Sequence, residues 1–158
     1  MKMVAPLEVG ICVADLDALS RFYCDVLGFT QVNIVTVPAE KAAGTALTDD
    51  AYRVTRLQSP YGERIKLLEP KKAAAPRAGD ALILSRLGTA YLTFIVDDIR
   101  AMLARLLAAG VDVMTGPEIV EVRPGTFLVF ARDPEGNIIE IVEYADIAAY
   151  RPDLATEG

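Results

Sequence analysis

The sequence predicts an α+β protein built from two β-α-β-β-β modules in tandem. Two observations carry that prediction. Residues 91–111, "YLTFIVDDIRAMLARLLAAGV", restate residues 8–29, "EVGICVADLDALSRFYCDVLGF", so that Glu8 falls on Tyr91, Val9 on Leu92, Ile11 on Phe94 and Asp15 on Asp98. A second pair, "SPYGERIKLLE" (59–69) and "DPEGNIIEIVE" (133–143), follows in the same order. Self-similarity on this scale marks two copies of one supersecondary unit.

Each element has a local reason. Leu7, Val9, Ile11 and Val13 alternate with Glu8, Gly10 and Cys12, the period of a half-buried strand. Asp15 and Asp98 stand where helix N-caps belong, and Gly28 and Gly110 where left-handed C-caps belong. Between them Leu16, Leu19, Tyr23 and Val26 form one apolar stripe, and Ile99, Met102, Leu103 and Leu106 another. Strands are expected over 30–37, 51–58 and 64–68, then over 112–114, 126–132 and 137–143. The turns at 59–62 and 133–136 each have Pro second and Gly last. The modules span 6–70 and 89–145 of a single domain, 1–158. Residues 71–88, rich in Ala, Pro and Lys, read as a linker with a short helix near 80–87. Residues 146–158 read as a peripheral tail, and 38–50 as a loop long enough to serve as a lid.

Composition narrows the function classes. The chain has 158 residues, 53% hydrophobic and 24% charged, with a formal net charge of −6, which describes one globular core. No Lys/Arg cluster suited to phosphate neutralisation occurs, so nucleic acid is not an expected partner. No apolar run reaches the roughly 18 residues of a membrane span, and no membrane partner is expected. The N-terminus carries acids too early for a secretory signal, and two cysteines, Cys12 and Cys24, make no disulfide framework. A cytoplasmic location is the expectation.

The alternation assigns faces. Leu7, Val9, Ile11 and Val13 should meet the first helix, leaving Glu8, Gly10 and Cys12 on the opposite face. By the repeat, Tyr91, Thr93 and Ile95 share that second face. In the fourth strands Ile65, Leu67, Ile139 and Ile141 face the helices, so Lys66 and Glu140 do not. Read as four-residue turns, 59–62 and 133–136 place Thr55 opposite Lys66 and Val129 opposite Glu140, with Arg53, Leu57, Phe127 and Ala131 on the same face. The result is a concave surface with Glu8, Lys66, Tyr91 and Glu140 at equivalent places. Cys12, Ile95, Phe127 and Val129 surround them, with Arg53 and Thr55 as further substrate contacts.

"VADLDALSRFYCDVLGF" and "ARDPEGNIIEIVE" together resemble the vicinal oxygen chelate superfamily, which includes the glyoxalase, bleomycin-resistance and extradiol-dioxygenase families. The resemblance covers about residues 6–145. It implies paired βαβββ modules forming a curved, barrel-like mixed sheet around a central cavity, commonly as a homodimer. Metal-dependent members draw ligands from the first and fourth strands of each module, usually His and Glu. Those positions here are Glu8, Lys66, Tyr91 and Glu140, and the chain has no histidine at all.

An ammonium offers a divalent ion no lone pair, so Lys66 argues against a metal and no cofactor is expected. Lys66 instead takes over part of the charge balance, between Glu8 and Glu140. The favoured function is a metal-independent enzyme acting on a small, rather apolar oxygenated metabolite. Lys66 and Tyr91 would stabilise an oxyanion while Glu8 or Glu140 carries a proton, in isomerase, epimerase, lyase or ring-opening chemistry. The alternative is a non-catalytic, antibiotic-type binding protein for a small organic molecule. A metal-dependent lyase or dioxygenase using oxygen ligands ranks third. Without a histidine to activate it, Cys12 is not a candidate nucleophile.

Overall fold

In the computed structural model, residues 2–76, 82–85 and 87–154 are described. The chain divides into two units, residues 1–78 and 79–158. The strands hydrogen-bond into two separate mixed sheets of four and five strands, and among the described residues they do not close into a barrel.

In the first unit the strand order is β1-β4-β3-β2. Strand β1 (Glu8–Cys12) runs parallel to β4 (Arg64–Pro70), which pairs antiparallel with β3 (Tyr52–Gln58), and β3 with β2 (Thr30–Val37). Parallel neighbours need a crossover, and helix α1 (Leu16–Arg21) provides part of it. Asp15 caps the helix by accepting from the Ala18 N–H at 2.8 Å. The helix continues as a wide π turn over Phe22–Val26. That turn has a cause in the repeat: one more residue separates Asp15 from Gly28 than separates Asp98 from Gly110. A wide turn absorbs the extra residue without moving the chain end. Leu16, Leu19 and Tyr23 are fully buried, as are Leu57 and Leu67 of the sheet on which the helix packs. Each such side chain contributes about 1.5–3 kcal/mol of burial. Leu7 departs from expectation: it precedes β1 and is 69% exposed. The loop expected over 38–50 contains a short helix, α2 (Ala39–Ala42), whose Ala42 is buried.

In the second unit β5 (Tyr91–Ile95) is parallel to β9 (Ile138–Tyr144), and β9 pairs antiparallel with β8 (Thr126–Arg132). The far edge of β8 is shared by β6 (Asp112–Val113) and β7 (Val120–Arg123). One continuous strand of the first unit is thus two short ones here, and β7 is an element the sequence reading did not include. Helix α3 (Ile99–Ala108) starts at Asp98, which accepts from the Ala101 N–H at 2.9 Å, and packs on β8 and β9 through Ile99, Leu103 and Leu106. A last short helix, α4 (Ile147–Tyr150), stacks Tyr150 on Tyr144 with ring centroids 3.7 Å apart, so the start of the tail is packed against the sheet. Of the helix expected near 80–87, a single turn at Ile83–Ser85 is described. Positions 80, 81 and 86 lie outside the described residues, as do 155–158 of the tail. No described helix is long and apolar enough to cross a membrane.

Candidate functional site

Each sheet has one face on its helix and one open face away from it, on which Val54, Ile138 and Val142 are nonetheless buried, and hairpin register decides which residues reach the open one. Ser59 pairs with Glu63 through its N–H (2.9 Å to the carbonyl), and the Gly62 N–H returns to Ser59 at 3.1 Å. Asp133 and Asn137 close the second hairpin in the same way, at 2.9 Å. Both loops therefore have three residues, ending on a glycine at positive φ, Gly62 at 111° and Gly136 at 83°. A three-residue hairpin loop closed by a left-handed glycine is one of the common short connections between antiparallel strands. Asp133 fixes its copy, accepting from the N–H groups of Glu135 (3.0 Å) and Asn137 (2.9 Å).

The register consequently differs by one residue from the one that four-residue turns imply. Lys66 lies opposite Arg56, and Thr55 opposite Leu67. Glu140 lies opposite Phe130, and Val129 opposite Ile141. A one-residue shift moves every side chain of a strand to the other face. Arg53, Thr55 and Leu57, and likewise Phe127, Val129 and Ala131, accordingly lie on the helix sides, contrary to the expectation for them. Thr55 is completely buried, donates to the Asn33 carbonyl at 2.7 Å and accepts from the Gln31 amide at 3.0 Å, pinning the bulge in β2 between those residues. Arg53 is held by Asp17 (Nη2–Oδ2 2.9 Å) and Glu69 (Nε–Oε2 2.9 Å). The hydrogen bond to Asp17, more than the neighbouring charges, raises its pKa. Val129 is buried, and Phe127 lines a groove between α3 and β7 with Leu103, Leu107 and Ile119.

The open face of the first unit carries Glu8 and Cys12 from β1, Arg64 and Lys66 from β4, and Arg56 and Gln58 from β3. Lys66 Nζ is 3.7 Å from Glu8 Oε2, and Arg64 Nη1 is 3.9 Å from Glu8 Oε1. Arg64 also donates to Gln58 at 2.9 Å, and Arg56 to the Asn33 amide oxygen at 3.4 Å. Gly10 lies beside Lys66, and a Cβ there would meet Leu68 at 3.3 Å. Cys12 is exposed, while burial, more than the charge of Asp25, raises the pKa of Cys24.

The open face of the second unit carries Tyr91, Thr93 and Ile95 from β5, with Glu140, Tyr144, Leu128 and Phe130 from β9 and β8. Thr93 donates its hydroxyl to Glu140 Oε2 at 2.6 Å. Tyr91 meets Phe130 edge to face, with centroids 5.3 Å apart. Tyr144 has its pKa pushed up to about 12, by burial first and then by the hydrogen bond with Tyr150. Arg132 reaches back to the Gly136 carbonyl at 3.4 Å and to Asp112 at 3.6 Å, a hairpin support as its position implies.

Two residues outside these faces do matched work that the sequence reading did not assign. Glu69, next to last in β4, accepts from the first helical N–H of α1, at Leu16 (3.1 Å); Glu143, next to last in β9, accepts from Ile99 of α3 (2.9 Å). Each satisfies an otherwise orphaned donor and places negative charge at a helix N-terminus. The signal was present, since Glu ends both copies of the second repeated segment.

A divalent metal does not suit this donor set. Lys66 presents an ammonium beside Glu8, at a position where the family resemblance implies a ligand, and among the described residues no three His, Cys, Asp or Glu side chains gather into a metal-binding group.

Comparison with known proteins gives the wider context. The model of the Glyoxalase/Bleomycin resistance protein/Dioxygenase superfamily matches residues 5–141. A virulence protein of Salmonella typhimurium, STM3117, is 30% identical over 136 residues, covering 85% of this chain and 80% of its own. The uncharacterised protein YaeR of Escherichia coli is 28% identical over 139 residues, covering 86% and 93%. The crystal structure of a glyoxalase family protein from Bacillus cereus superposes with a TM-score of 0.75 at 26% identity, covering 92% of this chain and 97% of that one.

Proposed function

This chain belongs to the Glyoxalase/Bleomycin resistance protein/Dioxygenase superfamily, and within it we propose a metal-independent enzyme that moves a proton on a small oxygenated metabolite. One observation carries the reading: the Lys66 ammonium stands 3.7 Å from Glu8, on a strand position where the family resemblance implies a metal ligand. A fixed ammonium balances a carboxylate without offering a lone pair, and it can stabilise developing negative charge on a substrate oxygen. In the second unit Glu140 is the proton carrier. The hydroxyl of Thr93, 2.6 Å from Glu140 Oε2, orients the carboxylate and leaves its other oxygen for a substrate C–H or O–H. Tyr91 supplies an O–H donor, and its ring, set against Phe130, supplies apolar surface for the substrate body. The chemistry is that of an isomerase, epimerase or lyase acting next to a carbonyl.

A second reading, a binding protein that holds an organic ligand unchanged, draws support from the aromatic content of the second unit's open face. Tyr91 with Phe130, and Tyr144 with Tyr150, form two ring pairs on which a planar ligand could stack.

Deuterium exchange separates the two. The protein is incubated in deuterated buffer containing a chelator with a panel of small ketones, aldehydes and hydroxy acids, and loss of the α C–H signal is followed by NMR. The enzyme reading expects exchange into at least one compound and its loss in Glu140→Gln. Exchange that persists unchanged in Glu140→Gln contradicts the role given to that carboxylate. Compounds that bind and never exchange favour the second reading.

A further inference from the structure

We propose that the open face of the first unit binds a dianionic group, a phosphate monoester or a closely spaced pair of carboxylates, through Arg56, Arg64 and Lys66. The inference rests on the reading above that a small molecule meets Lys66 on the open face of the first unit, and it gives that molecule a charge. It starts from register. Lys66 and Arg56 are direct cross-strand partners, and Arg64 is the next residue but one along β4, on the same face. Like charges placed directly opposite each other on a sheet cost stability. Among the described residues the carboxylate paired with them is Glu8, at 3.7 Å from Lys66 and 3.9 Å from Arg64. Arg56 has only a neutral partner among the described residues, the Asn33 amide oxygen at 3.4 Å.

Among the described residues, three cations against one carboxylate leave two positive charges on this face, in a chain whose formal net charge is −6. The excess is therefore local and opposite to the protein's overall sign. A dianion neutralises it. Two guanidinium groups suit this ligand because each presents parallel N–H donors to two oxygens of a phosphoryl or carboxylate group, which an ammonium cannot do. The surroundings assist. Gly10, in register with Lys66 on β1, puts no side chain over the lysine, so the ligand side of the row is open there. Arg56 and Lys66 are anchored within paired strands and Arg64 opens β4, so the three backbones are fixed relative to one another. Arg53 has no part in this site, since Asp17 and Glu69 hold it on the helix side.

Titration calorimetry and NMR on the full-length protein test the inference, with inorganic phosphate as the single dianionic group and malonate as the paired carboxylates. The expected result is saturable binding of at least one, with shifts centred on the Arg56 and Arg64 side-chain N–H signals. Affinity should fall about tenfold or more in Arg56→Gln and in Lys66→Gln, as for loss of one charge-assisted contact. Arg56→Lys should recover part of that loss, which a merely structural role for Arg56 does not predict. Binding of phosphate alone assigns a phosphoryl group, and of malonate alone a dicarboxylate. Absence of saturable binding for both, or equal affinity in wild type and both Gln variants, overturns the inference. Turnover is read separately. A protein that binds phosphate here and catalyses no exchange on any compound keeps this site and loses the enzymatic reading. Exchange on neutral compounds only, without anion binding, does the reverse.

Discussion

Removing the carboxylate at Glu69 or Glu143 should loosen the corresponding helix by an amount that can be worked from its contacts. Each accepts one N–H from the first turn of a helix, Leu16 at 3.1 Å and Ile99 at 2.9 Å. A hydrogen bond to an ionised acceptor contributes about 1.5–3 kcal/mol, and negative charge at a helix N-terminus about 0.3–1 kcal/mol, the two overlapping. The Glu69 side chain is 24% exposed, so water replaces part of what is lost. The expected cost of Glu69→Ala is about 2 kcal/mol, and of Glu69→Gln, which keeps a neutral acceptor, about 1 kcal/mol. For a chain of this size these correspond to melting shifts of roughly 4–8 °C and 2–4 °C. Glu143→Ala and Glu143→Gln should reproduce the same ordering, because both glutamates accept from a first helical N–H, with Glu69 also paired to Arg53. Urea denaturation with calorimetry measures the losses, and hydrogen exchange at the Leu16 and Ile99 amides locates them. If both alanine variants stay within about 0.5 kcal/mol of wild type, or if Ala and Gln are equivalent at both sites, the helix-anchoring role is refuted.

Two further outcomes are expected. Thr55→Val preserves shape but removes a buried hydroxyl that serves both Asn33 and Gln31, so it should cost about 1–3 kcal/mol and expose the β2 amides near the bulge to exchange; an unchanged denaturation midpoint would contradict this. Tyr144 should ionise near pH 12 in an ultraviolet titration, against 10.0 for an unperturbed tyrosine. Its folded pKa is the higher one, so its stabilising contribution is complete below about pH 10 and is lost as pH rises through about 12. Tyr150→Phe should lower the Tyr144 midpoint and narrow that window; a midpoint that does not move would remove Tyr150 as a cause.

What the sequence made legible follows from how local each signal is. Strand alternation in β1 and β5, the aspartate caps and the apolar helix stripes depend on neighbours a few residues away, and these were readable. So was the closeness of Glu8 and Lys66, because the apolar residues around each permit only one facing. The faces of β3 and β8 were not readable, because Ser-Pro-Tyr-Gly and Asp-Pro-Glu-Gly fit a hairpin loop of either three or four residues. Only the backbone shows that Ser59 and Asp133 pair across the hairpin while Gly62 and Gly136 take positive φ. That single residue transfers Arg53, Thr55, Phe127 and Val129 to the helix sides and brings Arg56 and Phe130 to the open ones. Strand β7 was missed although "VEVR" alternates ahead of the Pro124–Gly125 turn, since the first module offers no separate counterpart for it. The π turn was foreshadowed by the extra residue before Gly28, a length difference that carries no direction until the helix is seen.

The central claim is that Lys66 stands in for a metal, and elemental analysis of untagged protein tests it most directly, as purified and after incubation with iron, zinc, manganese and nickel. The account predicts that no ion is retained at stoichiometric level under any of these conditions. A tightly held stoichiometric ion that is lost in Glu140→Ala would contradict it.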